Sequence, residues 1–427
     1  MTGTERHLIA EVISIGDELT TGQRLDTNSQ WVSQRLGELG VTTMYHTTVA
    51  DDLAANLQVF RSAVERADII IATGGLGPTA DDLTREVLAE VSGSPLEIRE
   101  DVLDQIKSLF SRRAREMPER NRVQAQFPQI AKVIHNPHGT APGVDIAIAR
   151  NNSPGAGRVF ALPGVPAEME EMWNLTVAPE IIALQGAERP VIVTRVLKIF
   201  GAGESEVERM LPDMIRRGHV PTVGITASKA TISLRMVAKA ASQEVCTTQI
   251  AAAEQTIREC LKSLIYGESE EELQDVLLRE LAKRRLTLSV CDWGSGGMLG
   301  HWLATAAQSH PGVLRGGLLI HDRAMLARLF PKSDRAAAEQ GVFSEEFAAV
   351  LAQETRETHD TDLAIALGPF PELHVSPPLP FAYAVASREN CIAKTAAHAG
   401  HPEFVVQRNC KAAMNLLRLE LASERMP

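Results

Sequence analysis

A glycine-rich loop follows a strongly apolar segment of the chain and ends in two adjacent acids. Ile69-Ile70-Ile71 predicts a buried strand, and residues 72–85 read ATGGLGPTADDLTR. Backbone N–H groups in such a loop, and at the start of a following helix, favour phosphate. Asp81 and Asp82, which we expect to open that helix, would repel the phosphate unless a divalent cation lay between them, and hard oxygen ligands suit Mg²⁺ or Mn²⁺. The pattern predicts a metal-assisted nucleotide or phosphoester site.

A second pair of acids, Asp17 and Glu18, follows the first predicted strand, Glu11–Ile15. Strands and helices alternate through this part of the chain, which predicts βαβ units and a parallel, doubly wound sheet. Ligands of such sheets bind beyond the carboxyl ends of the strands. We therefore expect the two acidic loops to converge at one edge of the sheet, although Asp17 and Glu18 could also be ordinary turn residues.

The elements that would position these loops are short strands and amphipathic helices. The predicted strands are Glu11–Ile15, Thr42–Val49, Asp68–Thr73 and Val159–Leu162, and the predicted helices are Asn28–Leu39, Leu53–Arg66, Leu83–Val91 and Leu96–Ala125. The last helix carries Arg112, Arg113, Arg115, Arg120 and Arg122. A solvated helix face explains such a run, and the alternative is that one or two of these arginines reach an anionic ligand.

The chain is too long for one ordinary core, since it has 427 residues. Its character changes near Pro190, where strand and helix signals predict a small α+β module, followed by an acidic linker over Tyr266–Glu272. A third alternating region begins near Thr287, with strands expected near Gly317–Ile320, Asp362–Leu367 and Phe381–Ala386. We expect domains at residues 1–185, 186–268 and 269–427.

Composition narrows the class of protein. Hydrophobic residues make up 44% and charged residues 23%, as in soluble globular proteins, and the net charge of −11 makes nucleic acid an unlikely partner. The sequence shows no recognisable signal peptide and no apolar run that could cross a bilayer, so we expect a cytoplasmic protein with no membrane partner. The five cysteines are scattered, which indicates reduced thiols and no zinc site.

The motifs together resemble the CinA (competence/damage-inducible) family. The residues that carry the resemblance are Gly16-Asp17-Glu18-Leu19, Asn28, Thr73–Thr84, Asn136-Pro137 with Gly139–Gly143, and Leu162–Met169. The resemblance implies an N-terminal domain like the molybdopterin-binding proteins MogA and MoeA, a KH-like middle module and a C-terminal domain similar to nicotinamide mononucleotide deamidase. In that family the N-terminal domain is linked to metal-dependent ADP-ribose pyrophosphatase activity, and members form dimers, so a homodimer is expected.

The resemblance and the motifs together give a set of candidate site residues. Asp81, Asp82 and Glu18 are the candidate catalytic residues, with Asp81 and Asp82 also the candidate metal ligands. The candidate nucleotide-binding residues are Asp17, Asn28, Gly74, Gly75, Gly77, Thr79, Gly139, Thr140 and Gly164. The glycines of the first loop and Thr79 are expected to supply phosphate donors. The expected cofactor is Mg²⁺, Mn²⁺ or Co²⁺, with a monovalent cation as a further candidate.

The C-terminal domain departs from the family's deamidase pattern. That motif is roughly Ala-Glu-Ser-Cys-Thr-Gly-Gly with a nucleophilic serine, and the matching stretch here is Cys291–Gly297, with Trp293 at the serine's place. An indole cannot attack an amide carbon. Leu326 stands where the family has a lysine, and a glycine-rich loop has become Ala366–Pro371. The resemblance therefore implies a deamidase-like domain that is inactive, and Ser295 is a weaker candidate for a shifted nucleophile because the lysine position is empty.

Three functions remain open at this point. The first is an enzyme that hydrolyses the pyrophosphate of ADP-ribose or a related nucleoside diphosphate compound. The second is a protein that binds or adenylylates a molybdopterin ligand. The third is a non-enzymatic nucleotide sensor or scaffold with two inactive sites. Glu168, His135 and His138 fit structural roles better than catalytic ones.

Overall fold

The computed structural model describes residues 8–152, 154–186, 191–211, 213–216, 218–373 and 375–426. The chain forms two compact units. The first runs up to Val193 and includes Lys239–Cys246, and the second comprises Thr194–Ala238 and the chain from Thr247 onward. Within the described ranges, no helix is both long enough and apolar enough to span a bilayer. The five cysteines are free thiols.

The first unit contains eight strands, six in one sheet and two in a small separate sheet, together with the covering helices. Its strands are β1 (Ile9–Ile15), β2 (Thr42–Val49), β3 (Ile69–Thr73), β4 (Leu96–Ile98), β5 (Gln126–Pro128), β6 (Lys132–Ile134), β7 (Gly143–Ala149) and β8 (Ala156–Leu162). Its helices are α1 (Asp17–Thr20), α2 (Thr27–Glu38), α3 (Leu53–Arg66), α4 (Thr84–Ser92), α5 (Glu100–Arg112), α6 (Pro166–Met172) and α7 (Ala178–Gln185). A 3₁₀ helix covers Glu119–Ala125, and one π-helical segment, Trp173–Val177, joins α6 to α7.

The sheet order is β2-β1-β3-β8-β7-β6. The first four strands are parallel neighbours, and β7 and β6 add an antiparallel edge. Every side chain of β3 is buried because both faces of the sheet are covered. Ile70 packs with Phe60 of α3 on one face, and Ile71 packs with Trp173 on the other. The parallel-rich, doubly wound α/β fold is confirmed.

The prediction of one helix over Leu96–Ala125 is wrong. Strand β4 occupies its start and pairs with β5, and helix α5 ends at Arg112. Glu100 and Asp101 lie in the first turn of α5, where acids are favourable, and Arg112 lies in its last turn. Pro118 precedes the 3₁₀ helix in an extended conformation, as proline demands of the chain around it. The helical signal was therefore correct only for the middle of the segment.

A small α+β module follows along the chain, and most of it belongs to the second unit. Its sheet order is β10-β11-β9-β12, formed by β9 (Val191–Ile199), β10 (Thr222–Ser228), β11 (Thr231–Ala240) and β12 (Ile265–Glu268). Helices α8 (Glu204–Met210) and α9 (Gln243–Leu261) accompany it, with a 3₁₀ turn at Lys262–Leu264. The segment expected as an acidic linker begins inside β12, because Ile265 and Tyr266 are buried and pull the chain into the sheet.

The rest of the second unit is an α/β domain. Its five strands, in the order β14-β13-β15-β16-β17, are β13 (Leu288–Asp292), β14 (Leu314–Leu319), β15 (Leu363–Leu367), β16 (Pro380–Ala386) and β17 (Cys391–Ala397). The helices are α10 (Leu273–Arg284), α11 (Met298–Ala307), α12 (Arg323–Leu329), α13 (Pro331–Gln340), α14 (Glu345–His359) and α15 (Pro402–Ala422). Strands β13, β14 and β15 are parallel, so their carboxyl ends share one edge.

Candidate functional site

A cavity of about 580 Å³ opens at the carboxyl edge of the parallel strands in the first unit. Loops that follow β1, β3 and β8 build it, as the topology requires. The predicted residues that line it are Glu18, Asn28, Gly74, Gly75, Gly77, Asp81, Asp82, Thr140 and Gly164. The expected convergence of the two acidic loops is confirmed.

Three predicted residues lie outside the cavity lining and support it from nearby. The Asp17 backbone N–H donates to Asp51 Oδ2 at 2.9 Å, which ties two loops together. Thr79 donates its hydroxyl to Asp82 Oδ2 at 2.5 Å. A side chain at Gly139 would collide with the carboxylate of Glu168. Whether these three residues touch a ligand stays a prediction.

The glycine loop achieves its shape through residues in the left-handed region. Gly74 has φ of 105° and Gly75 has φ of 65°, conformations that side chains disfavour. A Cβ at Gly74 would also strike the carbonyl oxygen of Ile15, and one at Gly75 would strike the hydroxyl of Thr84. The loop therefore packs closely on β1 and on α4, which explains its requirement for glycine.

The backbone donors of this loop are mostly used within the protein. Gly74 N–H donates to Leu162 O at 3.0 Å, Gly77 N–H to Asp82 Oδ1 at 2.7 Å, and Thr79 N–H to Asp82 Oδ2 at 2.9 Å. These three N–H groups therefore have acceptors within the protein, and their contact with a phosphate stays a prediction. In the described part of the chain Gly75 N–H has no protein acceptor, so it is the glycine donor that remains available.

Asp82 shapes the loop and does not open the helix, because α4 begins at Thr84 with Leu83 at its N-cap. The Asp82 carboxylate accepts three hydrogen bonds. They come from the Gly77 backbone N–H, the Thr79 backbone N–H and the Thr79 hydroxyl. Thr84 secures the other end of the loop, since its hydroxyl donates to Gly74 O at 2.9 Å. Asp81 is exposed beside this arrangement. The two adjacent acids therefore have different surroundings.

Asp51 is a cavity residue that the sequence reasoning missed. It follows the carboxyl end of β2 closely, so the rule that identified Glu18 could also have found it. Burial raises the pKa of Asp51, and the nearby carboxylates of Asp17, Asp81 and Glu18 act in the same direction. A cation bound nearby would therefore reduce the repulsion between these carboxylates.

Asn136 lies behind the cavity lining and joins two segments that contribute to it. Its side-chain NH₂ donates to Glu168 Oε2 at 2.7 Å and to Ala141 O at 2.9 Å, and its Oδ1 accepts from Gly139 N–H at 2.8 Å. This network stabilises the turn of residues 136–142 between β6 and β7. Asn28 donates to Gly164 O at 3.1 Å, in the same segment after β8 that carries Glu168. Both asparagines act here as braces between loops.

The cavity is strongly acidic. The ionisable side chains that line it are the six carboxylates of Glu18, Asp26, Asp51, Asp81, Asp82 and Glu168, and the guanidinium of Arg24. None of the five arginines from Arg112 to Arg122 belongs to this lining, so the alternative that one reaches the ligand is not supported. Arg113, for example, donates to His138 O at 3.0 Å.

A divalent cation fits these donors only if water and substrate phosphates complete its coordination shell. Among the described residues, no three Asp, Glu, His or Cys side chains form a ready-made metal cage. Mg²⁺ is commonly held by one or two carboxylates, several waters and the phosphates of a substrate. Asp81 and Asp82, on the cavity wall, could supply the protein's share of such a shell.

The C-terminal positions that departed from the deamidase pattern are packed into the domain. Leu326 is fully buried, and Trp293 meets Phe347 edge-on with ring centroids 6.0 Å apart. Ser295 donates its hydroxyl to Asp292 and accepts from Leu299 N–H at 3.1 Å, in the first turn of α11. Burial raises the pKa of the Cys291 thiol to about 12, which makes it unreactive at neutral pH.

Comparisons with known proteins match the chain almost from end to end. A family model described as "Probable molybdopterin binding domain" matches residues 11–183, one described as "Damage-inducible protein CinA KH domain" matches 194–267, and one described as "CinA C-terminal domain" matches 270–421. A competence-damage inducible protein of Caldicellulosiruptor bescii is 33% identical, covering 97% of this chain and 99% of that protein. A competence-damage inducible protein of Symbiobacterium thermophilum is 37% identical, and the match covers 84% of this chain and 83% of that protein.

Among solved structures, CinA from Thermoplasma acidophilum, a protein of unknown function, is 33% identical. The match covers 41% of this chain and 99% of that one, with a TM-score of 0.37.

Proposed function

The chain belongs to the CinA family of competence-damage inducible proteins, and from this premise we propose that its N-terminal domain hydrolyses a nucleoside diphosphate compound such as ADP-ribose. The observation that carries the proposal is the acidic cavity at the strand ends, bounded by the glycine loop. In the reaction a water oxygen bonds to one phosphorus and the bond from that phosphorus to the bridging oxygen breaks. The products from ADP-ribose are AMP and ribose 5-phosphate, and two protons are released when both phosphate monoesters become dianions.

Asp81 and Asp82 are the side chains proposed to hold the divalent cation. When bound, such a cation supplies charge neutralisation at phosphoryl oxygens and acidifies coordinated water. The carboxylates of the cavity alone would repel a diphosphate, so the acidic lining favours a cation-dependent substrate over a free anion. Mg²⁺, Mn²⁺ and Co²⁺ are the candidates, with a monovalent cation as a possible addition.

The remaining roles fall to groups on the cavity wall. Gly75 N–H is proposed to donate to a phosphate oxygen. Glu18 is exposed at the cavity rim and is proposed to orient the attacking water or a ribose hydroxyl. Thr140 also lines the cavity and is proposed to offer a hydroxyl to the ligand. These roles use groups from three different loops, which is the usual arrangement at the edge of a doubly wound sheet.

A second candidate is the binding or adenylylation of a molybdopterin ligand. The match of residues 11–183 to a model described as a molybdopterin-binding domain favours it. A pterin ligand with its phosphate would use the same cavity, so the two candidates differ in substrate and not in location.

We further propose that the C-terminal domain lacks deamidase activity. Trp293 and Leu326 provide neither a nucleophile nor a base, and both pack against apolar neighbours. Ser295 is engaged by Asp292 and by the first turn of α11, so its hydroxyl already has its partners. The proposed role of this domain is structural.

One panel of assays separates these functions. The purified full-length protein is incubated with ADP-ribose, molybdopterin with ATP, or nicotinamide mononucleotide, each with and without Mn²⁺. The proposal expects AMP from ADP-ribose only with the metal, and no nicotinic acid mononucleotide. Adenylylated pterin as the sole product would favour the second candidate, and no product in any arm would favour a scaffold.

A further inference from the structure

A buried cation lies directly behind the glycine loop. Arg85, in the first turn of α4, is 2% exposed, and no carboxylate within the described residues forms an ion pair with it. Burial lowers the pKa of its guanidinium to about 10. Burying an unpaired charge is costly, so an arginine in this position must gain from specific hydrogen bonds.

Those hydrogen bonds go to the glycine loop. Arg85 Nη2 donates to Leu76 O, and Nη1 donates to Gly77 O at 3.3 Å. Gln124 Nε2 adds a longer contact to Leu76 O at 3.4 Å, and Asn121 holds Gln124 in place at 2.8 Å. The carbonyl side of the loop is therefore fixed from the interior of the domain by buried donors.

The same peptide group is held from its other side by Asp82. The nitrogen of the Leu76–Gly77 peptide donates to Asp82 Oδ1 at 2.7 Å. One peptide unit thus lies between a guanidinium on its oxygen and a carboxylate on its N–H. Its dipole is aligned with both charges, so each hydrogen bond polarises and strengthens the other. Gly77 has no room for a Cβ because its Cβ position lies 2.9 Å from Asp82 Oδ1.

We propose that Arg85 is a positioning residue that acts on Asp82 through the Leu76–Gly77 peptide. With the peptide fixed, two loop N–H groups and the Thr79 hydroxyl hold the Asp82 carboxylate at the cavity wall. Without the guanidinium, the peptide can rotate and Asp82 loses its Gly77 donor. The positioning role of Arg85 does not depend on the proposed function. The expected consequence, weaker binding of the divalent cation, rests on it.

Three variants of the full-length protein separate positioning from simple core filling. Arg85→Met keeps volume and removes every donor, and Arg85→Lys keeps the charge but cannot span two carbonyls. Arg61→Met is the matched control, because Arg61 is an exposed arginine of the same domain that pairs with Glu90. Amide hydrogen exchange of the peptide covering residues 74–84 is measured without metal, and Mn²⁺ affinity is measured by electron paramagnetic resonance.

Arg85→Met is expected to speed exchange in the loop and to weaken Mn²⁺ binding by at least about tenfold, the usual effect of losing a residue that supports a metal ligand. Arg85→Lys should lie between it and wild type, and Arg61→Met should match wild type. In the Arg85→Met background, Asp82→Asn should cost much less affinity than it does alone, because the two residues act through one peptide.

Unchanged loop exchange in folded Arg85→Met would overturn the proposal. So would a double variant whose loss of Mn²⁺ affinity equals the product of the losses in Arg85→Met and Asp82→Asn alone. If Arg85→Met does not fold, Arg85→Lys carries the same test. Faster loop exchange in a protein whose wild type binds no Mn²⁺ would leave the positioning role in place and would count against the proposed function instead.

Discussion

Asp17 and Asp51 accept hydrogen bonds from each other's backbone. Asp17 N–H donates to Asp51 Oδ2 at 2.9 Å, and Asp51 N–H donates to Asp17 Oδ1 at 3.2 Å. The pair joins the loops after β1 and β2 and places Asp51 in the cavity wall. Two like charges are thus held together by the backbone, in a place where a bound cation would stabilise both.

Asp51→Asn should therefore raise thermal stability in the absence of metal. Burial and nearby carboxylates raise the pKa of Asp51, which means that its ionised form destabilises the folded state at neutral pH. An asparagine oxygen can still accept from Asp17 N–H. We expect the melting temperature at pH 7.5 to rise by roughly 2 °C. Scanning calorimetry with Asp104→Asn, an exposed acid that pairs with Lys107, provides the control. A clear fall specific to Asp51→Asn would contradict this account.

Gly75→Val should impair ligand binding more than it impairs folding. Valine rarely adopts the φ of 65° found here, and its branches would strike Thr84 and cover the free Gly75 N–H. We expect calorimetric titration with ADP-ribose and Mn²⁺ to show at least about tenfold weaker binding, which corresponds to the loss of roughly one charge-assisted hydrogen bond. Gly93→Val is the control, because Gly93 also has φ of 65° but no neighbour crowds it. Equal affinity of the two variants for ADP-ribose would show that the loop connects β3 to α4 without binding the ligand.

Ser295→Ala should lower the stability of the folded protein. It should not change deamidase activity, which we expect to be absent in wild type. The Ser295 hydroxyl accepts from Leu299 N–H at 3.1 Å, and loss of such a contact in a first helical turn costs about 1 kcal/mol. Full-length wild type and variant are both expected to release no ammonia from nicotinamide mononucleotide. Release by wild type that disappears in Ser295→Ala would show that Ser295 is a working nucleophile.

His398 should make the second unit less stable in mild acid. The imidazole is buried and stacks on Phe370 at 4.8 Å, and its Nδ1 lies 2.8 Å from the Asn409 side-chain nitrogen, so Nδ1 must accept. Burial lowers the pKa of His398, and the Arg408 charge adds to the effect. The unfolded chain then binds more protons, and stability is lost as pH falls below about 6.5.

The check is the change in melting temperature between pH 7.5 and pH 5.5. We expect His398→Gln to lose less stability than wild type over this interval, because glutamine does not titrate. The exposed His321→Gln variant should keep the wild-type dependence on pH. A His398→Gln variant that is as sensitive to acid as wild type would place the titrating group elsewhere.

The sequence predicted the elements whose signals are local and strong. Leu53–Arg66 and Thr42–Val49 have the predicted bounds because Asp52 caps the helix and the strand is an uninterrupted β-prone run. The antiparallel strand β7 was not predicted, since its turn-rich approach gives no sign that it pairs with β8. Pairing between distant segments depends on the whole sheet and not on local propensity.

The candidate site was predicted in place but not in its hydrogen bonding. The topological rule identified the correct edge of the sheet from Glu18 and the glycine loop alone. It could not show that Gly77 and Thr79 donate to Asp82, because a carboxylate's partners depend on a loop path that spacing does not reveal. Arg85 was missed for a related reason, as an arginine after a helix start is normally assumed to face solvent.

The most direct test of the central claim is the rate of AMP formation from ADP-ribose, measured for wild type and Asp82→Asn across a Mn²⁺ titration. Asparagine removes a ligand charge and replaces one acceptor oxygen with an NH₂ that would oppose a loop N–H. The account predicts AMP formation by wild type only with metal, and at least about a hundredfold lower turnover in the variant at saturating Mn²⁺. Metal-independent turnover, or turnover by folded Asp82→Asn at the wild-type rate, would contradict it.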